Sequence, residues 1–424
     1  MSRPRRFRWL RFVPLLAVLV LGIVWGRKAL TPPLHVARFA DGTTVTVHRI
    51  DWGPSTYVEG AWWQQLLVPI LPARWGPRIH EKTDLQQTTP VLWLSETGPI
   101  AKQWFAATVF DELGNETLVG VQHWAVSGGD VYPMPLNPYP RRSHTLGIRF
   151  WRWDGKRLGE LRLKNPRLSQ DPQQIPERLP ARRSLAGSRV SLVGFRTGLP
   201  SSSHDAFARE TEMLFEVSRG GATDETWIPV GASVTDATGN RFDLPSKMGR
   251  ERRGPLHRLY FEGNLFQSEQ GYHIQVAWAR SVRARFSASE LWTLRDIPMP
   301  RFGERTPLSR QTRFGAARLT AVELSREYRD GRPELQIQSN SGEFNPHVSL
   351  VSAVDDRGRK LQVRPDWEDG LSFGPDFTLY SLPFTRGINA KSVTLTLALQ
   401  YPKWVEFTAA PTWPAKKGAS TAAK

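Results

Sequence analysis

From residue 36 onward the apolar positions alternate with polar ones in short runs. Leu146, Ile148 and Phe150 alternate, as do Tyr272, Ile274, Val276 and Trp278, and then Val393, Leu395, Leu397 and Leu399. A period of two marks half-buried strands rather than helices. Each run stands at a similar distance beyond an Asp-x-x-Gly turn: Asp111 to Gly114, Asp236 to Gly239 and Asp355 to Gly358. An apolar β-rich run precedes each turn (Phe105–Phe110, Ile228–Val234 and Val348–Val354). The aspartate side chain can start such a turn, and glycine supplies its left-handed residue. In the third copy the apolar register before the turn is offset by one position, which reads as a bulge.

The flanking elements recur in the same order. Short strands lie upstream at Leu92/Leu94, Phe215/Val217 and Leu335/Ile337, and opening strands at Val45/Val47, Val190/Leu192 and Leu319/Leu324. A closing strand follows each alternating run, at Leu161/Leu163, Leu291–Leu294 and Val405/Phe407. The turn aspartates are 125 and 119 positions apart. One apolar face per sheet requires two sheets to pack together. The expectation is an all-β chain of three tandem immunoglobulin-like β-sandwich modules: module one at 36–166, module two at 186–297 and module three at 316–412. Proline-bearing stretches at 167–185 and 298–315 read as stiff linkers, and 413–424 as a disordered tail.

The first thirty residues break this pattern. Arg3, Arg5, Arg6, Arg8 and Arg11 precede an uncharged apolar stretch, Phe12 to Gly26, and Arg27 and Lys28 follow. This is a targeting segment, read as an uncleaved signal anchor forming a transmembrane helix at 12–26; a cleaved signal peptide is the alternative. At fifteen residues it is shorter than the about 17–25 of a full span, so Trp9 and Leu10 would extend it as Arg11 snorkels. The excess of basic residues on the N-terminal side places residues 1–11 in the cytoplasm and the bulk outside it. The expected address is the inner membrane, single-pass, with a periplasmic or extracytoplasmic body.

The net charge is +17, and seven of the 57 basic residues lie in the first 28 positions. The rest of the chain carries 50 basic against 40 acidic residues, which favours anionic neighbours or simply solubility. Nucleic acid is not expected as a partner of extracytoplasmic modules. There is no cysteine, which excludes disulfides, thiolate catalysis, Cys-ligated metals and a lipoprotein anchor. Nucleophile-elbow, phosphate-loop, dinucleotide, zincin and EF-hand patterns are absent. The nine histidines show no ligand spacing on one element; His273 reads as a solvated strand residue. Asp366, Glu368 and Asp369 read as a solvated acidic loop. No catalytic residue, metal or cofactor is expected.

Three surfaces remain. Trp62, Trp63, Leu66 and Leu67 belong to an apolar helical stripe at about 59–71 without a counterpart in the other copies. It reads as a helix capping the first sandwich, or as an interfacial helix against the membrane or a partner. Arg250, Arg252 and Arg253 form a basic cluster read as a solvated loop, able to grip phosphate or sulfate if ordered. Arg141 and Arg142 precede a strand carrying Trp151 and Trp153, a platform for sugars or peptides if exposed and a packing surface if covered.

The pattern of turns and strands resembles the immunoglobulin-like sandwiches of uncharacterised bacterial envelope proteins. The opener Phe39-Ala40-Asp41-Gly42-Thr43-Thr44-Val45 behind a signal anchor resembles that group too. The resemblance implies fold and location and brings no activity. The functional expectation is a non-enzymatic, membrane-anchored scaffold or protein-interaction module among envelope proteins. A binder of anionic glycan or lipid and an unrecognised hydrolase are the alternatives.

Overall fold

The computed structural model describes residues 34–59, 78–82, 89–98, 104–120, 131–152, 154–200, 209–242, 248–326, 332–340, 346–363, 369–372, 378–384 and 389–414. The expected anchor at 12–26 and almost all of the expected helical stripe lie outside them, as do residues 364–368 of the acidic loop and most of the tail. Among the described residues the fold is all-β, with one 3-10 turn at Ala288–Glu290 and no helix long and apolar enough to cross a membrane. The chain divides into two compact units, one ending at Ser169 and the other beginning at Gln170.

The first unit holds β1 (His35–Arg38), β2 (Thr44–Trp52), β3 (Ser55–Glu59), β4 (Arg78–Lys82), β5 (Pro90–Thr97), β6 (Trp104–Phe110), β7 (Glu116–Gly120), β8 (Tyr132–Pro135), β9 (Thr145–Arg152) and β10 (Arg157–Lys164). One sheet has the order β1-β2-β5-β8 and the other β10-β9-β6-β7, with β3 and β4 as a separate pair. Val45, Val47, Leu92 and Leu94 fill one side, and Ala107, Val109, Leu146, Ile148, Phe150 and Leu161 the other. β5 is buried on both faces, with Val91 and Trp93 packed against Val131 and Tyr57 on the side away from Leu92 and Leu94. Phe39 meets Phe150 at 5.9 Å between ring centroids.

The second unit begins with β11 (Ala181–Leu185), β12 (Ser188–Pro200), β13 (Arg209–Arg219), β14 (Ala222–Thr223), β15 (Trp227–Asp236), β16 (Met248–Arg253), β17 (Leu256–Glu262) and β18 (Tyr272–Arg280). It continues with β19 (Leu291–Pro298), β20 (Arg305–Phe314), β21 (Ala317–Ser325), β22 (Glu334–Ser339), β23 (His347–Asp355), β24 (Lys360–Leu361), β25 (Asp369–Ser372), β26 (Thr378–Pro383), β27 (Ser392–Gln400) and β28 (Lys403–Ala409). Four sheets result: β11-β12-β13-β17-β16 with β14 beside β13, β15-β18-β28, β19-β27-β23-β24, and β20-β21-β22-β26-β25.

Two pairings differ from the sequential order that alternation suggests. β19 does not close the sheet of β18; it pairs with β27, Leu294 opposite Leu395. β28 does not pair with β27; it returns to β18, Ile274 opposite Phe407 and Val276 opposite Val405. The reason lies in the cores. Leu294 and Ile297 are fully buried among Leu319, Ile337, Leu395 and Leu397. Phe407 packs on Phe215 of β13 at 5.9 Å, closing the other sandwich. The segment around β28 is fastened further by Glu177 N–H donating to Thr408 O (2.7 Å) and by Thr412 N–H donating to Phe195 O (2.9 Å).

Both stretches expected as linkers contain strands. Ala181 and Leu185 of β11 are buried at alternating positions, and Leu308 and Phe314 of β20 pack against the core around Leu319. Their prolines stand largely ahead of the strands, where a missing N–H costs no ladder bond. The bulge expected for the third copy occurs in β23, between Leu350 and Ser352. Register shifts also interrupt β6 and β15.

The three Asp-x-x-Gly turns share one set of bonds. Asp111 Oδ1 accepts the N–H groups of Leu113 (3.0 Å) and Asn115 (2.8 Å), and its Oδ2 accepts Asn115 Nδ2 (2.8 Å). Asp236 holds Thr238 and Asn240 in the same way (2.9, 2.9 and 2.7 Å). Asp355 holds Arg357 and Arg359, with the Arg359 Nε in the place of the asparagine amide (3.0, 2.8 and 2.6 Å).

Candidate functional site

Arg141, Arg142 and Trp151 are half-buried in the first unit. Arg141 lies over the Tyr139 ring at 4.9 Å. Trp151 sits on the outer face of its sheet, as alternation requires, but its indole N–H donates to Thr108 Oγ1 (2.8 Å) and Glu116 Oε1 (3.1 Å). Arg149 joins the same network, to Glu116 (2.5 Å) and Glu160 (3.1 Å), and covers the Phe110 ring at 4.0 Å. Burial works to lower the Arg149 pKa, and the two carboxylates outweigh it and hold it above its ordinary value. Trp151 is therefore part of a hydrogen-bonded outer layer. Trp153, Trp62, Trp63, Leu66 and Leu67 lie outside the described residues.

The cluster Arg250, Arg252 and Arg253, expected as a loop, is on strand β16. Arg250 pairs with Leu259, Arg252 with His257 and Arg253 with Leu256 across β17. The connection is Gly254-Pro255, with Gly254 at φ 62°. A left-handed glycine opening a two-residue turn is a hairpin signal, and it outweighs the polarity of the arginines.

Two further sites went unread. On the outer face of β13 and β17, Glu210 and Glu212 are each only 2% exposed. Arg258 Nη2 donates to Glu210 Oε2 (2.8 Å) and its Nε to Glu212 Oε2 (2.7 Å). Arg196 also pairs with Glu212, and Arg258 lies 4.0 Å over the Tyr260 ring. Burial pushes the Arg258 pKa down, but the bonds to Glu212 and Glu210 raise it above its ordinary value. A permanent ion set this enclosed is structural.

The second site is a groove of about 590 Å³ at one end of the sheet of β11, β12 and β13. Arg182, Arg183, Ser184, Gly187, Ser188, Arg189, Ser218, Gly220 and Gly221 line it. Two tight hairpin turns build it. Ala186 (φ 48°) and Gly187 (φ 84°) connect β11 to β12, and Gly220 (φ 59°) and Gly221 (φ 88°) connect β13 to β14. Both turns need two left-handed residues in succession, which explains the glycines. Pairing sets Arg189 between Ser184 and Ser218. Arg183 is held by Glu177 and lies over the Phe407 ring at 5.3 Å. Ser188 bonds Asp224 and receives Arg219. Burial pushes the Asp224 pKa up, but the bonds from Ser188 and Thr226 and the nearby Arg219 hold it below the usual carboxylate range. The arginines of both strands stand in the sequence, but the prolines around β11 give that stretch the pattern of a linker.

No family model matches the chain, and no curated protein matches it. A solved structure of a conserved domain protein from Bacillus anthracis is 9% identical, over 54% of this chain and 89% of that one, with a TM-score of 0.18. The N-terminal domain of the Streptococcus gordonii adhesin Sgo0707 is 8% identical, over 90% of this chain and 94% of that one, with a TM-score of 0.11. Likenesses at these TM-scores carry no argument about this chain, and no family is assigned to it.

Proposed function

We propose that this chain is a non-enzymatic envelope protein, anchored in the inner membrane by residues 12–26, whose extracytoplasmic body scaffolds other envelope components. In this reading the body is three immunoglobulin-like modules. Strand order supports the module reading. The orders β1-β2-β5-β8, β11-β12-β13-β17 and β20-β21-β22-β26 match position by position. So do β10-β9-β6, β28-β18-β15 and β19-β27-β23 once β28 and β19 are exchanged. The observation that carries the scaffold reading is this exchange of closing strands. It joins the sandwiches of the second unit into one continuous body, which suits a spacer or platform.

The test is a crosslinked pull-down of the full-length protein beside a form starting at residue 31. The reading expects a defined set of envelope proteins, richer with the full-length chain. No enriched partner from either form would sink it. A second reading, a binder of anionic glycan or lipid, is favoured by the arginine-lined groove.

A further inference from the structure

We infer that the groove between the β11–β12 and β13–β14 turns is a binding site for an oxyanion group, a phosphate or sulfate ester, gripped chiefly by Arg182 and Arg189. The inference rests on the second reading and gives it an address.

The two arginines come together by register. Arg182 and Ser184 share one face of β11, and Arg189 pairs with Ser184 across to β12. Arg182 and Arg189 are therefore diagonal neighbours on one face, close enough to act on one group. Both are exposed, and neither forms an ion pair among the described residues. Like charges held side by side repel, and an anion between them relieves that repulsion. Guanidinium groups match the tetrahedral oxyanion with paired, charge-assisted N–H bonds.

The rest of the lining also donates. Ser184 and Ser218 flank Arg189. The amides of Gly187, Gly220 and Gly221 make no backbone hydrogen bond among the described residues. Nothing lies within 4 Å of the place where a side chain on those glycines would begin, so the backbone is open to a ligand. Backbone amides exposed in a tight turn can donate to an anion. Two of the acids nearby are engaged. Glu177 holds Arg183, and Asp224 holds Ser188 and Arg219. Glu216, opposite Ser191, is a diagonal neighbour of Arg189 on the same face, but forms no ion pair with it among the described residues.

The experiment uses the full-length chain in a neutral detergent, titrated calorimetrically with inorganic pyrophosphate, a sulfated hexasaccharide and short-chain phosphatidylglycerol. R182E/R189E should weaken binding by at least about tenfold, because two charge-assisted contacts become repulsive. R310E/R313E, an equal change of net charge on exposed β20 residues, should weaken it by no more than about twofold at 0.15 M salt, where distant charges are screened. Unfolding curves of both variants establish that they fold. Preference for pyrophosphate and hexasaccharide over the lipid assigns a soluble or glycan ester; the reverse order assigns a headgroup. Binding that both variants weaken equally, or that neither weakens, overturns the groove while leaving polyanion binding standing. Absence of binding to every probe overturns both.

Discussion

Gln400 reads the backbone of Arg280 in both directions: its Oε1 accepts the Arg280 N–H (2.8 Å) and its Nε2 donates to the Arg280 carbonyl (2.9 Å). Gln400 ends β27 and Arg280 ends β18, so one side chain joins two sheets of the second unit. The glutamine is only 5% exposed. Leucine in its place would leave an amide and a carbonyl without partners, at a cost of about 1–3 kcal/mol. Q400L should lower the urea midpoint accordingly and speed hydrogen exchange at residues 280 and 281. An unchanged midpoint would mean that the joint is held elsewhere.

The exchange of β19 and β28 makes a spatial prediction. F407A removes a ring that bridges β18 and β13, and should cost about 3–5 kcal/mol. I297A removes a buried side chain from the core around Leu319 and Leu395, at about 2–5 kcal/mol. Hydrogen exchange mapped by mass spectrometry should show F407A loosening β13 and β18 first, and I297A loosening β22, β23 and β27 first. Sequential closure of each sandwich by its own next strand would give the opposite assignment.

The same exchange shows what was legible in the sequence. The Asp111, Asp236 and Asp355 turns were readable because their bonds span at most four residues. Alternation likewise located β9, β18 and β27. It could not choose their partners, because β19 and β28 carry the same kind of apolar alternation and the choice depends on distant cores. Prolines mask the alternation of β11, and arginines that of β16. The groove needed both β11 and the paired glycine turns, so it came into view only with the register.

Equivalent aspartates should respond oppositely to pH. Burial raises the Asp111 pKa above 3.8, more than its bonds from Asn115 and Leu113 lower it. Its contribution to stability is therefore full below pH 3.8 and lost as pH rises through the raised value. Burial also pushes Asp355 upward, but the Arg359 amide and guanidinium outweigh it and hold the pKa below 3.8. Its contribution is present above pH 3.8 and lost as pH falls through the lowered value. Protection factors of Gly114 and Gly358, corrected for intrinsic exchange, should shift in opposite directions between pH 6 and pH 3. Parallel shifts at both turns would contradict the assignment.

The enclosed set around Arg258 should be costly to break and cheap to replace. Glu210 and Glu212 are shielded on the outer face of β13, and Arg258 pairs with both. R258A removes the guanidinium that bonds both, while the Arg196–Glu212 pair remains. Removing one partner of a buried ion set costs about 3–5 kcal/mol. R258M combined with E210Q and E212Q removes the charges together and keeps most of the volume, so it should recover at least about half of that loss. Urea unfolding of the two variants beside the parent decides it. A triple variant as unstable as R258A would show that packing of the guanidinium over Tyr260, not charge compensation, is what the site supplies.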